Sequence, residues 1–184
     1  MSDNLWGGNA NCYAYSCNDP HAPPLLNGSA CPGGIARQGV FARKGESEQD
    51  FAERLIKGVL LDGGHNNLVI TVSRDIDVLP DAGPGYVTAM VSNATGYHFL
   101  RQDRETKTWS WKDGNFGPVD GKAFLVASGE ALTVTGDVFK AMVNPETRKR
   151  FVPEWPMIFR AYFGIGNRDG MRVSGIAEKG FIME

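Results

Sequence analysis

Residues 85–112 read GYVTAMVSNATGYHFLRQDRETKTWSWK, and this stretch decides the fold. It contains three short runs rich in Val, Tyr, Phe and Trp, at 85–92, 97–102 and 108–112, each bounded by turn residues. A fourth run of the same kind, at 68–73, precedes them. Short β-rich runs joined by tight turns predict a mostly antiparallel sheet.

The last two runs predict a hairpin whose turn falls within residues 103–108. In the register that this turn favours, Leu100 lies opposite Trp111, and His98 lies opposite Asp113 on the same face. A slip of one residue would bring Lys112 opposite His98 and would turn the whole face over. The hairpin therefore predicts a carboxylate beside a histidine, on one particular register.

Helices are predicted mainly before the sheet. The segment 11–17 forms a short helix, and Ser47 with Asp50 resembles a capping box that starts a helix over 47–61, ended by Gly63 and Gly64. The order of elements predicts an α+β fold. In this fold the N-terminal helices, which carry a cysteine, pack on the antiparallel sheet.

The last third of the chain has weaker patterns. We expect a helical turn or two over 137–143, a further helix start at 144–146, and a hairpin in which 157–164 and 171–176 flank a turn at 167–170. Length and average composition predict one domain over 1–184, with a core at about 1–128 and a C-terminal extension over 129–184.

Charge and hydropathy exclude several classes of partner. The net charge of −2 and the interleaved acids and bases give no field that would attract nucleic acid, so no nucleic acid partner is predicted. No apolar run reaches the roughly 20 residues that span a bilayer, and the N-terminus lacks the shape of a signal peptide. We expect a soluble protein made in the cytoplasm, without a membrane partner.

Three cysteines lie within the first 31 residues, at Cys12, Cys17 and Cys31. Cys17 and Cys31 could pair and leave Cys12 free, but a reducing cytosol favours three thiols. A zinc site of these three with His21 is a minor alternative, because its C-x4-C-x3-H-x9-C spacing lacks the close pairs that hold tetrahedral zinc. No metal and no cofactor are predicted.

Cys12 is the candidate nucleophile. It follows an open loop that contains Gly7, Gly8 and Asn9, and it stands where this loop enters a short helix, whose positive end favours a thiolate. The alternative is a small buried cysteine, the commoner fate of a single Cys. The N–H of Cys12 is the first candidate oxyanion donor, and the amide of Asn9 or Asn11 the second.

His98 is the candidate base, because it lies on a strand, whereas His21 falls in a proline-rich loop and His65 just beyond a helix. Asp113 is the candidate for orienting the imidazole, with Asp103 as its rival. On the same register Trp109 and Trp111 flank the pair and shield it from water, although tryptophans on a strand more often serve packing.

These residues resemble a family. The stretch NCYAY at 11–15 with Pro32-Gly33 after it, and YHFLRQD at 97–103 leading to WSWK at 109–112, are similar to motifs of a poorly characterised group of bacterial and phage proteins. That group looks like papain-fold or NlpC-type cysteine peptidases, and the resemblance covers roughly residues 9–120. It implies a papain-like fold with Cys12 as nucleophile and His98 as base.

The sequence departs from the group at one place. The group's second motif usually reads Trp-Ser-His-Lys-Pro-Gly, whereas Trp111 and Asp113 here occupy the positions of its histidine and proline. Either Asp113 takes over the third catalytic role, or the site works as a Cys-His dyad.

The resulting hypothesis is a cysteine hydrolase that cleaves a peptide or isopeptide bond in a protein or peptide substrate. Cell-wall peptide hydrolysis and acyl transfer are alternatives that use the same chemistry. A hypothesis of another class is a catalytically inactive binding or structural module, which the departure at Trp111 favours.

Overall fold

A computed structural model describes residues 11–19, 30–33, 42–112, 118–119, 124–125, 131–132, 135–144 and 157–173. Within these residues the protein is a mixed α/β structure built on an open antiparallel sheet. The helices are α1 (Cys12–Ser16), α2 (Glu48–His65) and α3 (Gly136–Val143). The strands are β1 (Ile70–Ser73), β2 (Tyr86–Ser92), β3 (Tyr97–Gln102), β4 (Trp109–Lys112), β5 (Pro118–Val119), β6 (Phe124–Leu125), β7 (Ala131–Leu132) and β8 (Ile158–Ile165).

The main sheet has the strand order β1-β8-β2-β3-β4-β5, and β6 pairs with β7 separately. Every pair in the main sheet is antiparallel. Strand β8 belongs to the part of the chain that was predicted as an extension, and it lies inside the main sheet between β1 and β2. Its pairing partners lie 66 residues or more away in sequence, as counted from the pair Ser92 and Ile158, where no local pattern points to them.

The β3–β4 hairpin has the predicted register. Leu100 pairs with Trp111, Arg101 with Ser110, and Gln102 with Trp109. The backbone N–H of Asp103 donates to the carbonyl of Thr108 over 2.8 Å and closes the turn. Asp113, which would lie opposite His98, is outside the described residues.

The long helix α2 starts where the sequence predicted and ends later. The Ser47 hydroxyl accepts a hydrogen bond from the N–H of Asp50 and donates to its carboxylate over 2.6 Å. The helix then continues through Gly63 and Gly64 to His65, so the predicted stop at the glycines is wrong. At Gly63 the helix has no room for a side chain, because a Cβ there would collide with the side chain of Ile70 on β1.

The two faces of the main sheet carry different helices. We call them the α1 face, on which α1 and α2 pack against Met90, Phe99 and Phe163, and the α3 face, on which α3 packs against Trp109 and Tyr162. Successive residues of a strand point to opposite faces, so neighbours on β2 and β3 separate between these two cores. None of the helices in the described ranges is long and apolar enough to cross a lipid bilayer.

Residues 171–173, the described part of the strand predicted at 171–176, do not form a strand. A turn forms at Arg168 and Asp169, as predicted, but residues 171–173 then run beside α1. The N–H of Met171 donates to the carbonyl of Cys17 over 2.8 Å, and that of Val173 to the carboxylate of Asp19 over 2.9 Å. The predicted hairpin is wrong because β8 already has β1 and β2 on its two sides. The helix start expected at 144–146 falls largely outside the described residues, with Asn144 as the C-cap of α3.

Candidate functional site

Cys12 is the first residue of α1 and is half-buried. The preceding Asn11 is the N-cap, with extended backbone, and its side-chain oxygen accepts a hydrogen bond from the N–H of Ala14 over 3.0 Å. The side chain of Asn11, a candidate oxyanion donor, has a structural role, since it caps the helix and binds the loop at residues 30–33. Cys12 is thereby fixed at the start of the helix.

A short loop at residues 30–33 lies beside the start of α1. The side-chain amide of Asn11 donates to the carbonyl of Ala30 over 2.5 Å, which brings the residues next to Cys12 and Cys31 into contact. On the other side the loop packs against α2, where a Cβ on Gly58 would collide with the carbonyl group of Pro32. Gly33 has a φ of 76°, a conformation that favours glycine.

The carboxylate of Asp62 joins α1, the loop and α2. This side chain is fully buried, and one of its oxygens accepts from the hydroxyl of Tyr13 over 2.7 Å and from the N–H of Gly33 over 2.8 Å. Asp62 is not among the residues predicted for the site. The sequence does contain a signal for it, because Asp62 continues the apolar stripe of Phe51, Leu55 and Val59 along α2, and a carboxylate at such a position needs buried donors.

The three thiols differ in their surroundings. Cys17 and Cys31 are buried, with 1% and 8% of their surface exposed. Burial, followed by the nearby carboxylate of Asp62, raises the pKa of the Cys31 thiol to about 11. Burial also raises the pKa of Cys17 well above its ordinary value. Cys12 is the most open of the three, so it is the thiol that a reagent or a substrate reaches first.

Side chains of β3 and β4 hold α1 against the sheet. The guanidinium of Arg101 lies over the ring of Tyr15 at 4.5 Å and donates to the side-chain oxygen of Asn18 over 2.9 Å. The hydroxyl of Tyr15 is 2.8 Å from that of Ser110, and the ring of Tyr13 packs at 4.8 Å from the ring of Phe99. These contacts fix the helix that carries Cys12 on the α1 face.

The structure does not bring His98 to Cys12. Cys12 packs with the core of the α1 face, to which Tyr97 and Phe99 belong. His98 lies between these two residues on β3 and pairs with Val91, whose side chain belongs to the core of the α3 face. Since neighbours on a strand point to opposite sides, the sheet separates the buried imidazole from the thiol.

The remaining predicted site residues are Trp111, Trp109, Asp113 and Asn9. Trp111 is 5% exposed and lies on the α3 face with His98, as its register predicted, and therefore on the side away from Cys12. Trp109 stacks with Phe139 and with Tyr162 at centroid distances of 4.8 and 5.6 Å, which is a packing role. Asp113 and Asn9 lie outside the described residues.

The carboxylate of Asp103, the rival to Asp113, lies in the turn after β3. It accepts hydrogen bonds from the N–H groups of Glu105 and Thr106, and these bonds, chiefly those from Thr106, lower its pKa. It therefore stabilises the hairpin turn.

Among the described residues, neither a metal site nor a cavity was found that extends the region around Cys12. Among the described residues no three side chains of His, Cys, Asp or Glu come together in a group that could hold a metal ion. His21, part of the zinc alternative, is outside those residues. A cavity of about 220 Å³ lies between the 79–85 loop and Gln102, at the opposite end of β3 from His98.

No family model, no curated protein and no solved structure matches the chain.

Proposed function

We propose that the chain is a cysteine hydrolase of papain-like plan that cleaves a peptide or isopeptide bond, with Cys12 as its nucleophile. The observation that supports this best is the contrast among the thiols: Cys12 is half-buried at a capped helix start, while Cys17 and Cys31 are buried, which raises their pKa above the ordinary value of a thiol. A thiol at such a position is suited to attack a carbonyl.

The general plan of the fold also supports the proposal. A short helix that begins at the nucleophile packs on an antiparallel sheet. The loop with Pro32 and Gly33, part of the motif resemblance, lies directly beside that helix.

If His98 is the base, its side chain has to change position. Its imidazole shares the α3 face with Leu100, so it must move to the face of Phe99 before it can take a proton from Cys12. His98 is the second residue of β3 and pairs with Val91 of β2, so this movement requires a change at the start of the strand. If His98 keeps its place, another group must serve as base.

The test is hydrolysis of fluorogenic peptides, isopeptides and cell-wall stem peptides by the full chain. We expect Cys12→Ala to abolish hydrolysis and the matched Cys17→Ala, which removes a buried thiol from the other end of the same helix, to retain it. Hydrolysis that survives in Cys12→Ala would overturn the proposal. A parallel His98→Gln measurement decides whether the imidazole reaches the site during turnover.

A second candidate is a binding or structural module without catalytic activity. The placement of His98 on the face opposite Cys12 favours it, together with Trp111 at the position where the similar group has a histidine. If the chain is such a module, we expect the wild type to hydrolyse no substrate class. We also expect Cys12→Ala to keep the wild-type fold, as measured by circular dichroism.

A further inference from the structure

Two of the three cysteines lie in neighbouring segments. The side chain of Asn11 binds the backbone of Ala30, so Cys12 and Cys31 directly follow two residues that are in contact. Cys17 lies five residues beyond Cys12, which on a helix corresponds to about 7.5 Å along the axis and about 140° around it. Cys17 is therefore directed away from Cys12.

The surroundings of the three sulfurs agree with this arrangement. Burial raises the pKa of the Tyr97 hydroxyl, and the charges of Cys12 and Cys31 raise it further, so both sulfurs are within electrostatic range of one hydroxyl. Cys17 instead interacts with Ser16, Asp62 and Tyr13, in the interior.

We propose that Cys12 and Cys31 form a redox pair, in which a peroxide oxidises Cys12 and Cys31 closes a disulfide with it. The sequence favoured three thiols, and the pairing that it left open was Cys17 with Cys31. The pairing holds whether or not the chain is a hydrolase, because it depends only on the placement of the two thiols. In a hydrolase it would switch off the nucleophile reversibly.

The chemistry has two balanced steps. The Cys12 thiolate attacks one oxygen of hydrogen peroxide; an S–O bond forms, the O–O bond breaks, and hydroxide leaves, so that the sulfur is oxidised by two electrons to a sulfenic acid. Cys31 then loses its proton and attacks the Cys12 sulfur; the S–S bond forms, the S–O bond breaks, and the leaving hydroxide takes the proton as water. Two thiols and one peroxide give one disulfide and two waters.

The two thiols have different roles in this sequence. Cys12 is half-buried, so peroxide reaches it first. Cys31 is 8% exposed and its pKa is raised to about 11, so it remains a protected thiol until a sulfenic acid forms next to it. Because the second step needs the Cys31 thiolate, its rate rises about tenfold per pH unit below that pKa.

The experiment treats the full chain with hydrogen peroxide, blocks the remaining thiols after denaturation, and maps disulfides by mass spectrometry without reduction. Trypsin is unsuitable, because the first Lys or Arg is Arg37 and all three cysteines stay in one peptide. Cleavage by chymotrypsin after Tyr13 or Tyr15, combined with Asp-N before Asp19, separates the three.

We expect a Cys12–Cys31 link in the wild-type chain and in Cys17→Ala, while Cys31→Ala forms no link and accumulates several-fold more Cys12 that dimedone labels as sulfenic acid. Both variants remove one buried thiol, so they are matched. The wild-type map is decisive even if a variant fails to fold. A Cys17–Cys31 link, a link between two chains, or oxidised Cys12 with Cys31 still a free thiol would each overturn the proposal.

Discussion

The two faces of the main sheet are built from different kinds of contact. On the α1 face, helices and loop are joined through buried polar groups: Asp62 binds Tyr13 and Gly33, and Asp19 binds Val173. On the α3 face, Trp109 stacks with Phe139 and Tyr162 in an aromatic core.

This difference matters for function because the predicted dyad is divided between the faces. The reactive-thiol candidate lies with the polar network, and the histidine lies with the aromatic core. A change on one face should therefore leave the chemistry of the other face intact as long as the sheet holds.

The largest expected effect comes from the aromatic core. Trp109→Ala removes a side chain that is 1% exposed, and we expect a loss of about 3–5 kcal/mol in the free energy of unfolding. Chemical denaturation measures the loss, with Trp109→Phe as the milder control. In the fraction that stays folded, Cys12 should be alkylated at the wild-type rate; a change there would mean that the faces are coupled.

The next effect comes from the polar network. Asp62→Ala leaves the Tyr13 hydroxyl and the Gly33 N–H buried without their acceptor, and we expect a loss of about 2–4 kcal/mol. The loop should loosen, so Cys31 should become accessible to iodoacetamide. Asp77→Ala removes an exposed carboxylate, 72% exposed, and should cost less than about 1 kcal/mol. Equal losses in the two variants would contradict the role given to Asp62.

A smaller effect is expected where α1 meets the sheet. Arg101→Lys keeps the charge but loses the planar stacking on Tyr15 and the geometry of the bond to Asn18, for an expected loss of about 1 kcal/mol. Cys12 alkylation should become faster, while the exposed Arg104→Lys serves as control. An unchanged alkylation rate would show that Arg101 does not hold the helix in place.

The smallest effect is a pH dependence. The pKa of Cys31 is raised from 9.0 to about 11 in the folded chain, so its contribution to stability is present below pH 9 and is lost as the pH rises through about 11. We expect the unfolding free energy to fall less steeply over this range in Cys31→Ala than in the wild type. Identical slopes would mean that Cys31 is not buried as described.

Local patterns were sufficient to predict much of the fold. The β3–β4 register followed from turn length and alternation, and the start of α2 followed from Ser47 and Asp50. The place of β8 between β1 and β2 could not be predicted, because its partners are distant in sequence and strand order depends on tertiary packing.

The site was predicted less well than the fold. Alternation around His98 was known from the sequence, but the face on which α1 packs was not, and that face decides whether Cys12 meets His98 or Tyr97. Asp62 was not predicted, because a carboxylate on a helix is usually solvated. Only its place in the buried apolar stripe of α2 indicates that this carboxylate is buried.

The central claim is that the sheet separates Cys12 from His98 in the folded chain. The most direct test is the rate of Cys12 alkylation as a function of pH, measured in the wild type and in His98→Gln, with circular dichroism to confirm the fold. The account predicts the same rates and the same pH profile in both. A rate that falls about tenfold in His98→Gln, with the loss of an inflection near pH 6.5, would show that the imidazole lies beside the thiol and would contradict it.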